Sequence, residues 1–183
     1  SRVFGDFRKH MWPIIGQSVL DTSKVIDWAI ANLNVSKNVY MGGESMGGDI
    51  AVAAAGFDHR IKRVAAVIST PDWMRPGMKS GGPSSNLIPQ GEADAYANFF
   101  YREFNPYTNV TSYKHCPAIT FECGAEDYHV PPDGALRFQA ALNSTYKRFP
   151  NRIRVNLHPK VGHDSSNKGM LDNGLAWFLK DEE

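Results

Sequence analysis

The sequence feature that most constrains the fold is the segment from Val39 to Gly56. It contains Gly43-Glu-Ser45-Met-Gly47, a G-x-S-x-G pattern in which a strand turns sharply into a helix with serine at the turn. Residues 38–42 predict a short buried strand, and the alanine- and glycine-rich residues 46–57 predict a helix that lies close against a sheet. Glycine on both sides of the serine leaves room for the close backbone approach that such a turn needs. The pattern predicts a serine side chain that projects above the sheet, whereas the simpler alternative is a turn of small residues with a solvated serine.

The rest of the chain alternates between helical and extended patterns. Residues 1–16, which include Pro13, predict irregular structure. In the last helix we expect Leu171, Leu175 and Phe178 to face inward. This alternation predicts an α/β fold, a three-layer sandwich around a mostly parallel sheet. The remaining predicted strands are 63–69, 117–123 and 152–157, and the other predicted helices are 17–33, 132–147 and 165–180.

Residues 70–115 interrupt the alternation with proline- and glycine-rich sequence, followed by a helical piece at about 92–104. A connection of this length in one domain is usually functional. One interpretation is a cap inserted over the site, with Trp73, Phe99 and Phe100 forming an apolar substrate pocket. The other interpretation is an excursion at the sheet edge that packs its aromatic side chains into the main core, and the sequence leaves both open.

Three residues with complementary chemistry follow three of the predicted strands. Ser45 follows the first strand, Asp127 the third and His163 the fourth, so all three emerge at one edge if the strands are parallel. A serine hydroxyl is a poor nucleophile unless a base accepts its proton and a carboxylate orients that base. The spacing favours Asp127 over Glu126 and Asp133. The ordinary alternatives are a surface histidine and a helix-capping aspartate.

These motifs identify a resemblance to the α/β-hydrolase superfamily, within the esterase branch similar to prolyl-oligopeptidase-like and dienelactone-hydrolase-like enzymes. The likeness runs from about residue 17 to the end of the chain. The family carries further strands and a His-Gly-type loop before this point, so the resemblance implies that residues 1–183 are the C-terminal two thirds of a single α/β-hydrolase domain. Residues 70–115 would be an insertion within it. The matching pieces are Gly43-Glu-Ser45-Met-Gly47-Gly48, Gly124-Ala-Glu-Asp127-Tyr-His-Val-Pro131 and Gly162-His163-Asp164.

The resemblance implies a serine hydrolase that cleaves small carboxylic esters through an acyl-enzyme intermediate on a triad of Ser45, His163 and Asp127. The backbone N–H of Met46 would stabilise the oxyanion, with a second donor supplied by the upstream loop. Such chemistry needs no metal and no organic cofactor. A peptidase or an acyltransferase on the same triad, or a non-catalytic binding module with a hydrolase-like fold, remain as alternatives.

The composition of the chain limits the kinds of binding partner that we expect. The formal net charge is +1, with no basic cluster longer than two or three residues and no apolar run of the roughly 20 residues that a membrane span needs, so we expect neither nucleic acid nor membrane partners. Cys116 and Cys123 flank one predicted strand and would lie about 23 Å apart, which predicts free thiols and a reducing, cytoplasmic location.

Without an upstream neighbour, the strand at 38–42 would be an exposed apolar edge. We therefore expect either homo-oligomers or association with the missing N-terminal segment.

Overall fold

The computed structural model describes residues 2–164 and 166–180, which include a parallel sheet of four strands and six α-helices. Short 3-10 helices cover Pro106–Thr108, Val110–Tyr113 and Pro150–Arg152. In chain order the elements are α1 (Arg2–Gly5), α2 (Phe7–Asn32), β1 (Val39–Glu44), α3 (Met46–Phe57), β2 (Ile61–Val67), α4 (Ala95–Phe104), β3 (Ala118–Gly124), α5 (Asp133–Leu142), β4 (Ile153–His158) and α6 (Lys168–Phe178).

The strands lie in the order β1-β2-β3-β4, and every neighbouring pair is parallel. All seven residues of β3 are buried, as are six of the seven in β2, because helices cover these central strands on both faces. In β1, partly buried and exposed residues alternate, and among the described residues this strand has a neighbour on one side only. The predicted α/β fold with a mostly parallel sheet is confirmed.

Alternate residues of β2 show the three layers. Val64 and Ala66 belong to the main hydrophobic core, which also contains buried residues of α2, α3, α4 and α5. Ala65 packs with Trp177 of α6 on the other face of the sheet, and Val67 packs there with Met170. The sheet is therefore covered by α6 on one side and by the larger group of helices on the other.

The N-terminal residues differ from the prediction because α2 begins at Phe7 and includes Pro13. Proline usually ends a helix, since it lacks an N–H and crowds the preceding turn. Here the first half of α2 is nevertheless anchored by core packing: Phe7 is fully buried and Trp12 is 3% exposed. At Gly16 a Cβ atom would overlap the ring of Phe100, so α2 and α4 pack closely at this point. Tertiary burial has outweighed the local signal.

The buried face of α6 is also shifted from the prediction. Leu175 is 63% exposed, and Leu171 and Phe178 are only partly buried. The positions of the two leucines and Phe178 therefore indicate the wrong helix phase, because a glycine forms part of the true contact face. The buried residues lie one position earlier in each case: Met170, Gly174 and Trp177.

The aromatic segment between β2 and β3 largely joins the core. Trp73 is 0% exposed and Phe100 is 2% exposed, so neither has surface left for a substrate in this arrangement. For these two residues the structure corresponds to the core-packing interpretation rather than to a pocket wall. Phe99 is 44% exposed, and its role as a pocket residue stays a prediction.

Both cysteines are buried free thiols, as predicted from their separation along β3. Burial raises the pKa of Cys123 to about 12. None of the helices in the described part of the chain combines the length and the apolar character needed to cross a bilayer.

Candidate active site

The turn between β1 and α3 has the strained geometry that the glycine-serine pattern predicts. Ser45 has φ 50° and ψ −120°, a region that residues with a side chain rarely adopt, at a cost of about 1–3 kcal/mol. Its N–H donates to the carbonyl of Val67 at 2.9 Å, so the pairing of β1 with β2 continues up to the turn. The strain is maintained by the strand before the turn and by the helix after it.

The glycines around Ser45 have different roles. A Cβ atom at Gly43 would overlap the backbone of Gly47, and one at Gly48 would overlap the side chain of Ser69. A Cβ atom at Gly47 would meet nothing within 4 Å. The expectation that glycine is required on both sides of the serine is therefore right at Gly43 and wrong at Gly47, where the space is open.

Asp127 lies three residues beyond the end of β3, at the same edge of the sheet as Ser45. The residue is 3% exposed, and its Oδ1 accepts the backbone N–H groups of His129 at 2.9 Å and Val130 at 2.7 Å. These two bonds fix the carboxylate and leave its second oxygen, Oδ2, for His163.

His163 follows β4 and lies between the other two residues. Its Nδ1 is 2.7 Å from Asp127 Oδ2, and its Nε2 is 3.1 Å from Ser45 Oγ. Because an ionised carboxylate can only accept, Nδ1 carries the proton, and Nε2 of the neutral ring is free to accept the proton of Ser45. The structure thus brings the three predicted residues together, with His163 in contact with both Ser45 and Asp127.

The loops that carry Asp127 and His163 are joined by their backbones. The N–H of Ala125 donates to the carbonyl of His158, and the N–H of Glu126 donates to that of Val161, both at 2.9 Å. A Cβ atom at Gly124 would overlap the carbonyl oxygens of this second loop. The parallel pairing of β3 and β4 therefore extends beyond the strands and sets the distance between acid and base.

The two other candidate acids lie elsewhere. Glu126 is exposed, and Asp133 forms an exposed ion pair with Arg137 at 2.7 Å. Asp127 is accordingly the carboxylate that contacts His163.

A second histidine beside the triad was not singled out from the sequence. The ring of His129 lies 4.9 Å from that of His163, edge to face, and its Nδ1 is 3.0 Å from the carbonyl oxygen of Lys79. Burial lowers the pKa of His129, while the Lys79 carbonyl opposes this shift. His129 therefore contributes a neutral ring to the wall around His163.

Below the turn, a buried ion pair joins Asp49 to Arg75, and Asp49 also accepts the backbone N–H of Thr70 at 2.7 Å. Burial raises the pKa of Asp49, while Arg75 and the Thr70 N–H act against this. The sequence held a signal for this pair, since Asp49 is the only charged residue between Met46 and Phe57. The sequence held no signal for its partner Arg75, which lies 26 residues further along the chain.

Glu122 is a further buried carboxylate, on the α6 side of β3, and the residue is 1% exposed. The signal in the sequence was a glutamate as the only charged residue of the predicted strand 117–123. The carboxylate links β3, β4 and α6 directly below the loops that carry the acid and the base. Its partners are Thr120 Oγ1 at 3.0 Å, Asn156 Nδ2 at 2.6 Å, His158 Nε2 at 2.7 Å and Asn173 Nδ2 at 3.1 Å.

Met46 is the first residue of α3, immediately after Ser45. N–H groups in the first turn of a helix have no partner within that helix, so this one is available to a negatively charged oxygen beside Ser45. Within residues 2–164 and 166–180, no group of three or more histidine, cysteine or acidic side chains is arranged to hold a metal ion.

The parallel sheet, the strained serine turn and the loops after β3 and β4 define the class of the protein as an α/β-hydrolase. Residues 6–181 match the prolyl oligopeptidase family, and the chain belongs to that family. It is therefore part of a serine hydrolase superfamily that includes peptidases and esterases. No curated protein sequence matches the chain.

Solved structures show the same fold at low sequence identity. Chain TT1662 from Thermus thermophilus is 20% identical with a TM-score of 0.56, and the acylaminoacyl peptidase of Pyrococcus horikoshii is 17% identical with a TM-score of 0.57. An acetyl xylan esterase from Paenibacillus sp. R4 is 20% identical with a TM-score of 0.52. The similarity covers 82%, 85% and 88% of the present chain, respectively.

The same matches cover 56%, 25% and 52% of those three chains. The present chain thus spans between a quarter and somewhat more than half of the length of these three structures.

Proposed function

We propose that the protein hydrolyses carboxylic esters through an acyl-enzyme intermediate, with Ser45 as nucleophile, His163 as general base and acid, and Asp127 as the orienting carboxylate. The observation that carries the proposal is the continuous series of contacts from Ser45 Oγ through the His163 ring to Asp127 Oδ2. Such a series is the arrangement that raises the nucleophilicity of a serine at neutral pH.

In the first half of the reaction, Ser45 Oγ attacks the acyl carbon while His163 Nε2 takes the hydroxyl proton. The negative charge that develops on the carbonyl oxygen is stabilised by the Met46 N–H at the start of α3. Collapse of the tetrahedral intermediate breaks the bond to the alkoxy oxygen, which receives the proton from His163 and leaves as the alcohol. Asp127 stabilises the imidazolium formed in between.

In the second half, His163 accepts a proton from a water molecule, whose oxygen attacks the acyl group on Ser45. The acid is released and Ser45 regains its proton, so one ester and one water give one acid and one alcohol. A second oxyanion donor is expected from a loop upstream of residue 17, as the resemblance implies. One such donor contributes about 10²–10³ in rate in serine hydrolases.

Peptide bonds are the second candidate substrate, and the family match favours them, because the family is that of prolyl oligopeptidase. An amide differs from an ester in its poorer leaving group, which depends more strongly on proton donation by His163. Esters and anilides with the same acyl group therefore separate the two candidates, because only the leaving group differs.

The first experiment is labelling with a fluorophosphonate probe. The purified protein should be modified at Ser45, and Ser45→Ala should abolish labelling, while Ser84→Ala, at an exposed serine, should leave it unchanged. Labelling that persists in Ser45→Ala would contradict the assignment.

The second experiment compares kcat/KM for p-nitrophenyl acetate and the matching p-nitroanilide. A marked preference for the ester supports the esterase, and similar values would favour the peptidase. A protein that stays folded, is not labelled and hydrolyses neither substrate would favour a non-catalytic binding module.

A further inference from the structure

A cleft of about 540 Å³ lies at the opposite end of the sheet from Ser45. It is lined by residues at the amino ends of the strands, including Lys62 of β2, Ala118 of β3 and Arg154 of β4, and by Trp177 near the end of α6. The triad residues follow the carboxyl ends of the same strands. The cleft is therefore separate from the proposed active site.

Its lining is strongly cationic. Five of the described lining residues are basic, and no described lining residue is aspartate or glutamate, although the whole chain has a formal net charge of only +1. The positive charge is thus a local feature of this surface, which we call the basic cleft. A concave wall that carries charge of one sign concentrates the potential inside it and attracts the opposite charge. The basic residues are Lys62, Arg63, Arg152, Arg154 and Lys180.

Trp177 fixes the geometry of the basic cleft. The residue is 4% exposed, and its indole N–H donates to the carbonyl of Ala118 at 3.2 Å. The Arg154 guanidinium lies 4.8 Å from the ring centroid and the Lys180 ammonium 5.1 Å from it, while Arg63 donates to the Trp177 carbonyl at 2.7 Å. These cations are held in place before any ligand arrives, which lowers the entropy lost on binding.

Three of the cations are available to an anion. Within residues 2–164 and 166–180, no carboxylate lies at ion-pair distance from Lys62, Arg154 or Lys180. The Lys62 ammonium donates to the carbonyl of His59 at 2.8 Å, and Arg154 uses its Nε on the carbonyl of Asn151 at 3.3 Å. Lys62, Arg154 and Lys180 carry like charges on one concave wall and repel one another, and an anionic ligand would relieve the repulsion among these three.

We infer that the basic cleft binds a small molecule that carries phosphoryl groups. Arginine forks match the spacing of phosphate oxygens, and lysine adds a point charge beside them. A volume of about 540 Å³ exceeds that of a single phosphate ion and lies in the range of small-molecule pockets, about 300–1,000 Å³. The ligand class is therefore a diphosphate or an organic phosphate, whether nucleotide or sugar.

The test is isothermal titration of the purified protein with inorganic pyrophosphate at low ionic strength. Binding should weaken as salt is raised, because screening reduces interactions between exposed charges. The double variant Lys62→Gln/Arg154→Gln should lose about tenfold in affinity for each cation removed. Lys62→Gln alone, at an exposed side chain, should lose about tenfold and leave the thermal unfolding midpoint unchanged.

The matched control is Lys24→Gln/Arg102→Gln, which removes the same two types of charge from exposed positions on α2 and α4. This control and Ser45→Ala should both bind pyrophosphate as the unaltered protein does. The inference is wrong if no binding is detected, or if the control loses as much affinity as the double variant. The outcome of this test does not depend on the esterase proposal, because the titration needs no catalysis.

The sequence continues after Lys180 with Asp181, Glu182 and Glu183, which lie outside the described residues. The titration is therefore repeated on the triple variant Asp181→Asn/Glu182→Gln/Glu183→Gln. We expect both forms to bind pyrophosphate. Binding that occurs only in the triple variant would overturn the inference, since it would assign the basic cleft to the acidic end of the chain itself.

Discussion

Replacing Asp127 by asparagine tests the proposed mechanism most directly, because the change keeps the shape of the side chain and removes only its charge. The asparagine oxygen can still accept the N–H groups of His129 and Val130, as Asp127 Oδ1 does now at 2.9 and 2.7 Å. Its NH₂ group would then face His163 Nδ1 in place of an acceptor. The histidine would adopt the tautomer with its proton on Nε2, which can no longer accept the proton of Ser45.

The expected loss in kcat is roughly 10⁴-fold, the size seen when a triad carboxylate becomes an amide. At about 1.4 kcal/mol for each factor of ten, this corresponds to about 5–6 kcal/mol of barrier. The free energy of unfolding should fall by much less, about 1–3 kcal/mol, because both backbone bonds to the side chain remain. The large difference between the effects on activity and on stability is what distinguishes an orienting acid from a structural one.

The assay combines initial rates on p-nitrophenyl acetate with urea unfolding of the same preparations. Asp133→Asn is the matched control, because it breaks an exposed ion pair with Arg137 at 2.7 Å and should cost about 0–1 kcal/mol with kcat unchanged. A folded Asp127→Asn protein with near-normal kcat would refute the assignment. So would an Asp133→Asn protein that lost activity to the same degree.

Three further predictions concern the fold and the turn. Burial, with smaller effects from His59 and Lys62, lowers the pKa of His115 to about 4, so the unfolded chain binds more protons than the folded one below pH 6.5. The free energy of unfolding should therefore rise by about 1–2 kcal/mol between about pH 4 and 6.5. Urea unfolding at several pH values should show this slope, and an unchanged slope in His115→Gln would contradict the prediction. Phe100→Ala should lower the free energy of unfolding by about 3–5 kcal/mol because the residue is 2% exposed, whereas Phe99→Ala, at 44% exposure, should cost about 1 kcal/mol or less. Equal losses in urea unfolding would show that Phe100 is not the core residue of this pair. Gly43→Ala should abolish fluorophosphonate labelling of Ser45, because its Cβ would overlap the Gly47 backbone, while Gly47→Ala, in open space, should keep the labelling. Labelling that survives in Gly43→Ala and is lost in Gly47→Ala would refute this description of the turn.

Elements with a strong local pattern could be predicted from the sequence. The helix after Ser45 has the predicted bounds, 46–57, because the serine turn fixes its start and small apolar residues fill its length. The predicted bounds of β2 and β3 lie within two residues of the observed ones at each end, since mostly apolar runs are typical of strands covered on both faces. The proximity of Ser45, Asp127 and His163 followed from the order of loops after parallel strands, which needs topology but no detailed packing.

The failures came where distant packing outweighs the local pattern. Pro13 predicts a break, yet α2 runs through it because residues on both sides of the proline are buried in the core. In α6 the leucines suggested the wrong face, since Gly174 contributes to the packed face without any apolar side chain. Partners such as Arg75 for Asp49 lie far apart in the sequence, so no spacing rule could pair them.

The site depends on two separate structural units that must meet. Asp127 and His163 belong to one unit, because backbone hydrogen bonds join their loops and the Glu122 carboxylate joins the strands below them. Ser45 belongs to the other, through its bond to the Val67 carbonyl and the strained turn before α3. The contact between the units at the triad is the 3.1 Å separation of His163 Nε2 and Ser45 Oγ. Since backbone hydrogen bonds join the loops of Asp127 and His163, and Ser45 is held by Val67 of β2, changes in packing between β2 and β3 should alter the distance between His163 Nε2 and Ser45 Oγ first.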